Sequence, residues 1–503
     1  MNAADPGSTP PRRVSRRDLL VGAGSLVIGA AAGFSARPIQ TAISDAVAPS
    51  NDSSSDPATD STRRYVSSQA TISSFRIQKT AGATLGAGLL FAGVAMDVHR
   101  GVAFDDDGEP VWIDTTGADI YNLRVQQYRG EPVLTYTSGL LIDGYGIATG
   151  TILDSQYQVV ATVRAANGLS ADLHEFLLTD RGTAIITAYP TVTADLSSVG
   201  GPKRGHYIDG HLQEIDVATG ELLLDWRASD HIALSESYQS IGSGGRTAAD
   251  PWDPFHLNAA AVDIDDNRLL ISARHTHALY AIDRSSGVVQ WRLNGKKSDF
   301  TLTDDAVFAW QHHVTRQSAT TITVFDNHVK SSSGTSRGLA LAVDESARTV
   351  RVAQAYTHAD RRAIAMGNTQ HLDGGNVLVG WGTGKALTEF AADGTTLLDV
   401  RFEGSSYRSF RAPWVGTPAS PPAIATRRAN GQVTAYVSWN GSTETARWRF
   451  EYGDSAAALT ASQTVARTGF ETSASIPSSA SSVRAVAVGA DGTDLTSSVT
   501  VSA

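Results

Sequence analysis

The chain has 503 residues, with 41 Lys and Arg against 51 Asp and Glu, a net charge of -10 and no cysteine. That length suits one large repeat domain plus a smaller module, and the negative balance argues against a general binder of nucleic acid or of anionic membranes. Disulfides and thiolate metal sites are excluded, and 46 glycines, many in Asp-Gly and Thr-Gly pairs, suit a chain of short strands and turns.

The first elements are an address and a spacer. Ser15-Arg16-Arg17-Asp18-Leu19-Leu20 precedes a weakly apolar, Gly/Ala-rich run, the pattern of a twin-arginine signal over residues 1–48. It predicts export to the envelope or beyond; a membrane contact is expected only if the segment stays attached. Residues 49–67 are rich in Ser, Asp and Thr and read as a disordered linker.

From 68 to 418 one grammar recurs. Residues 103–113 (AFDDDGEPVWI), 152–163, 214–226, 281–293 and 389–402 each read strand, acidic turn, strand. A second kind of segment precedes several of them: 174–188 (HEFLLTDRGTAIITA), 256–273 (HLNAAAVDIDDNRLLISA), 312–325 (HHVTRQSATTITVF) and 368–381 (NTQHLDGGNVLVGW). Paired, they make four-stranded units of about forty residues, the size of a propeller blade. The pairs give five or six blades, and six is adopted, with 68–98 still to be placed. Residues 419–503 carry further short strands with Trp439 and Trp448 early among them, which predicts an immunoglobulin or fibronectin III-like β-sandwich. The Pro-rich segment 413–422 is the expected hinge. The fold expected is thus all-β: a six-bladed β-propeller followed by a sandwich.

A propeller's innermost strands converge on one axis. His174, His256 and His312 stand at equivalent starts of three such strands, with Asn258 and Arg274 nearby. Each alone reads as a structural histidine at a strand end; three in register read as a site. With no carboxylate evidently in register, the set suits an anionic ligand. Arg274 offers a fork to oxyanion oxygens, Asn258 and imidazoles can donate, and a neutral imidazole can attack. Sulfuryl and phosphoryl transfer need such a set.

The segments ADLHEF (171–176), DPFHLN (253–258), LISARHTH (270–277), AWQHH (309–313) and NVLVGWG (376–382) resemble the arylsulfotransferase family. The resemblance covers most of 75–415. It implies a six-bladed propeller that moves a sulfuryl group from a phenolic sulfate ester to a phenol, without a nucleotide donor or other cofactor, through a sulfated histidine. By the same resemblance His312 matches the nucleophile. His256, Asn258 and Arg274 match the groups that hold the sulfate, and His174 matches the first channel histidine. His174 or His256 would handle the phenol proton. His313 follows His312 where this branch of the family often has an acidic residue, so the choice between them stays open. The alternatives are a non-catalytic binding propeller, or a sulfate-ester hydrolase or lyase using the same pocket.

Other signals are weaker. His275 and His277 form a candidate metal pair without a third ligand, so no metal is expected. Asp105–Asp107 and Asp263–Asp266 read as acidic turns rather than calcium loops. Trp252, Trp310, Trp381 and Trp414 are candidates to wall an aromatic site, half of them expected in blade cores.

Overall fold

A computed structural model of the chain describes residues 62–265, 267–328 and 334–503. The signal segment and residues 49–61 of the expected linker lie outside these. Among the described residues no helix is long and apolar enough to cross a membrane.

The described chain is built from strands. Six four-stranded antiparallel meanders follow one another, each beginning with a strand that the next meander's first strand touches. The first strands are Ile120–Tyr128, Ala171–Leu178, Leu257–Val262, His312–Ser318, Asn368–His371 and Ser406–Ala412. They meet their neighbours in that order, and Ser406–Ala412 returns to Ile120–Tyr128, which closes the circle. Second and third strands such as Arg268–Ala273 and Ala278–Asp283 are almost wholly buried. Their side chains fill the layers between sheets. One such layer joins Leu270, Leu279 and Trp291 to Val324, Leu339 and Leu341 of the next sheet.

Segment 68–98 finds its place at the closure. Arg76–Lys79 adds a fifth strand to the sheet that starts at Asn368, and Leu89–Ala95 pairs with Ser406–Ala412. Two sheets thus mix strands from both ends of the repeat region. The expected linker also ends early. Thr62–Arg64 pairs with Thr71–Ser73, Arg63 pairs with Glu109, and the Val66 and Ser67 amides donate to Glu471. Glu109 and Glu471 are remote in sequence, so local composition could not announce them.

Five of the six first strands carry a bulge near the start. Register slips between Tyr121 and Arg124, Ala171 and Phe176, Leu257 and Ala259, His312 and Val314, and Ser406 and Ser409. A bulge breaks the strict alternation of faces. Consecutive residues such as His174 and Glu175, or His312 and His313, can then both reach the axis.

Beyond Ala412 two further sheets share one apolar core of Val433, Val437, Trp448, Phe450 and Val483. The segment expected as a hinge is fastened: the Thr417 and Ala419 amides donate to Ser155 and Gln156, and Gly416 bonds Thr443. Asn440 bonds Ile113 through both its side-chain groups.

Candidate active site

The histidine cluster lies where the bulged first strands begin. His312 is 2% exposed, and its Nδ1 lies 2.7 Å from Asn327 Oδ1. Asn327 Nδ2 donates to the carbonyls of Ala363 and Met366, both at 3.0 Å. That fixes the amide's orientation, so Oδ1 accepts and His312 carries its proton on Nδ1. Nε2 is left as a lone pair, and the Met366 N–H donates to it at 3.2 Å. Burial first, then Arg274, push the imidazole well below its ordinary pKa. His312 is a neutral imidazole with its nucleophilic nitrogen defined.

Arg274 sits in a short turn after strand Arg268–Ala273. One terminal nitrogen donates to His275 Nε2 at 2.8 Å and the other to the Ile364 carbonyl at 3.2 Å. The guanidinium lies over the Trp310 ring, 4.9 Å from its centre. Burial lowers its pKa to about 10, so it remains a cation at neutral pH. His275 donates from Nδ1 to the Asp253 carbonyl at 2.7 Å. Burial pushes its pKa to about 3. Both its nitrogens are occupied, and its work is to aim Arg274. Arg274 and His312 thus grip the same segment, Ile364–Met366, whose Met366 has φ of +65°.

His174 and His256 pack edge to face, ring centres 4.8 Å apart, and His256 lies 4.8 Å from His275. Each holds a carboxylate through Nδ1: His174 with Asp172 and His256 with Asp253, both at 2.6 Å. Neither Nε2 has a hydrogen bond among the described residues. Tyr189 and Tyr407 wall the pair, 5.7 Å and 5.5 Å from His174. Asn258 is fully buried. It spends one amide hydrogen on the Gln311 carbonyl at 2.8 Å, which leaves the other free.

The family model for arylsulfotransferase (ASST) matches residues 124–403, more than half of the chain. The chain belongs to the arylsulfotransferase family. Among curated proteins no relative matches it. Matches among solved structures are of low identity. The periplasmic gluconolactonase of Pseudomonas aeruginosa is 15% identical over 65% of this chain and 99% of its own, with a TM-score of 0.38. A protein of unknown function from Bacteroides caccae is 11% identical over 64% and 98%, with a TM-score of 0.39.

In this arylsulfotransferase-family chain the histidines stand with carboxylates, contrary to the expectation of none in register. Asp172 and Asp253 lie inside two of the quoted segments, as Asp-x-His and Asp-x-x-His. They face the Nδ1 edges, which leaves the Nε2 edges unengaged. Asn327, Tyr189, Tyr407 and the Met366 amide were also not foreseen, and His275 was singled out only as half of a candidate metal pair.

The adjacent histidines separate. His313 faces Phe410, ring centres 5.8 Å apart, with Arg408 and Arg124 near. It lines a cavity of about 380 Å³ with Gln126, Gln370 and His371. Between that cavity and the histidine cluster lies a buried plug. Glu175 accepts from Arg124 at 2.8 Å and from Arg408 at 3.2 Å, and Arg408 also bonds the Asn258 carbonyl.

His277 turns away from His275 and stacks on Tyr238 at 4.1 Å, so the proposed metal pair does not share a face. Ligand atoms of Asp253, His256 and His275 do lie within 4.8 Å of one another. Asp253 and His275 are already engaged by His256 and Arg274, and the charge of Arg274 opposes a cation there. Asp263 accepts from Arg268 and Arg316, which suits an ion-paired turn; Asp266 is outside the described residues. Trp310 reaches the site, whereas Trp252, Trp381 and Trp414 belong to cores between strands.

Proposed function

We propose that the chain is an exported aryl sulfotransferase, moving a sulfuryl group from a phenolic sulfate ester to a phenol through a sulfohistidine on His312. The circle of meanders is read as a six-bladed β-propeller, and the two terminal sheets as an immunoglobulin or fibronectin III-like sandwich. The observation that carries the reading is the pairing of a pinned, neutral imidazole with an aimed guanidinium on one loop segment. Arg274 and the second Asn258 hydrogen hold sulfate oxygens, with the His256 ring packed beside them. His312 Nε2 attacks sulfur, and the S–O electron pair leaves on the phenol oxygen. The Met366 N–H, which rests on the lone pair, then faces a sulfuryl oxygen. A phenol acceptor reverses the sequence.

The test is intact mass of protein quenched after exposure to p-nitrophenyl sulfate alone. The expected result is a labile adduct of one sulfuryl group, and nitrophenol turnover that needs an added phenol. Steady release with water alone makes the protein a hydrolase. No release by folded protein makes it a binding propeller.

A further inference from the structure

The two carboxylate–imidazole pairs are not equivalent. Asp172 is 1% exposed and accepts from four donors. His174 supplies Nδ1–H at 2.6 Å and its amide at 2.8 Å; Thr187 adds its hydroxyl at 3.1 Å and Gly146 its amide at 2.6 Å. Gly146 and Thr187 come from different meanders, so two meanders fix one carboxylate and, through it, one imidazole. Asp253 is less enclosed. It holds the His256 ring and amide, and His256 sits beside His275 and Arg274.

We propose that Asp172 is the positioning residue that makes His174, rather than His256, the proton carrier of the transfer; this rests on the function proposed above. When the S–O bond of the donor breaks, the phenol oxygen takes its electron pair and the proton from His174 Nε2. In the second half, His174 Nε2 takes the acceptor phenol's proton as that oxygen bonds sulfur. The S–N bond then breaks and its pair returns to His312. His256 is unsuited to this work, because a proton there would place a second cation beside the guanidinium. Electrostatics separates the pairs in the same sense. Burial raises Asp172, but its bonds to His174 and Gly146 outweigh that and hold it below the usual carboxylate range. Burial prevails at Asp253, which lies above that range, and burial with His174 and Arg274 pushes His256 well below its ordinary value. Two titratable pairs driven apart divide the acid–base work from the binding work.

The test is the leaving-group dependence of Asp172→Asn. A stable nitrophenolate leaves without help, whereas phenolate needs a proton in the transition state. Transfer from phenyl sulfate should fall by about a hundredfold or more, and from p-nitrophenyl sulfate by less than about tenfold. Equal losses on both esters assign Asp172 a structural role and overturn the proposal. Should Asp172→Asn not fold, the wild-type protein answers. A slowly exchanging, downfield imidazole proton should be present and vanish in His174→Gln; its absence overturns the proposal. A wild type that neither transfers nor is sulfated ends the transfer reading, and this inference with it. An active wild type with equal losses ends this inference alone.

Discussion

The two ends of the axis are built from the same six strands and differ in backbone regularity. At the histidine end, His256, Trp310, His313 and Met366 have positive φ, and five strands bulge. At the other end Ile120–Tyr128 and Ser406–Ala412 run on in register, and Gln126, Gln370 and Phe410 line an open cavity. Positive φ in residues other than glycine is uncommon and costs about 1–3 kcal/mol at each position. Four such residues gather at the end where imidazoles meet a guanidinium. Regular strands position side chains two residues apart on one face; bulges let neighbours such as His312 and His313 serve opposite ends.

The largest expected effect breaks or upholds that division. His312→Ala should abolish transfer, while His313→Ala keeps at least about a tenth of the rate. Nitrophenol release with an added phenol reads both, and the reverse order would reassign the nucleophile. Orphaning Asn327 Oδ1 in His312→Ala should cost about 1–3 kcal/mol in urea unfolding. Arg274→Lys keeps the charge and loses the fork between His275 and the sulfate. Its kcat/KM should fall about a hundredfold, and unchanged kinetics would remove Arg274 from the sulfate site.

The plug between the ends gives the next effect. Glu175→Gln leaves two buried arginines with no anion between them and should destabilise the fold by about 3–5 kcal/mol, measured by denaturant midpoint. The smallest effect is on acid sensitivity. His275 has a folded pKa of about 3 against about 6.5 unfolded. In that window the unfolded chain binds the extra proton, so this contribution is present above pH 6.5 and lost as pH falls. The slope is at most about 1.4 kcal/mol per pH unit. His275→Gln should flatten the decline of the melting temperature between about pH 6.5 and 4. His371→Gln, at the other end and only partly buried, should flatten it less. Equal slopes would mean the two ends are equally wet.

Much of this was legible in the residues. The strand–turn–strand grammar located most meanders, and the register of His174, His256 and His312 placed three imidazoles at one end. Arg274 followed from its place after the next strand. What stayed hidden has physical reasons. Asp172 and Asp253 stood in plain view beside their histidines, but alternation assigns near neighbours to opposite faces, and bulges are not written in side-chain pattern. The Met366 contact is a backbone amide, which any residue but proline supplies. Arg76–Lys79 joins a sheet whose other strands come some three hundred residues later, and only long-range pairing reveals that.

The Arg124–Glu175–Arg408 plug makes the axis a blind well instead of a pipe. On the transfer proposed above, an ester entering at the histidine end would meet this plug, and its spent phenol would leave by the way it came before a second phenol enters. During that interval the protein alone would hold the group in transit. Fidelity then depends on what the mouth admits next, a phenol or a molecule of water.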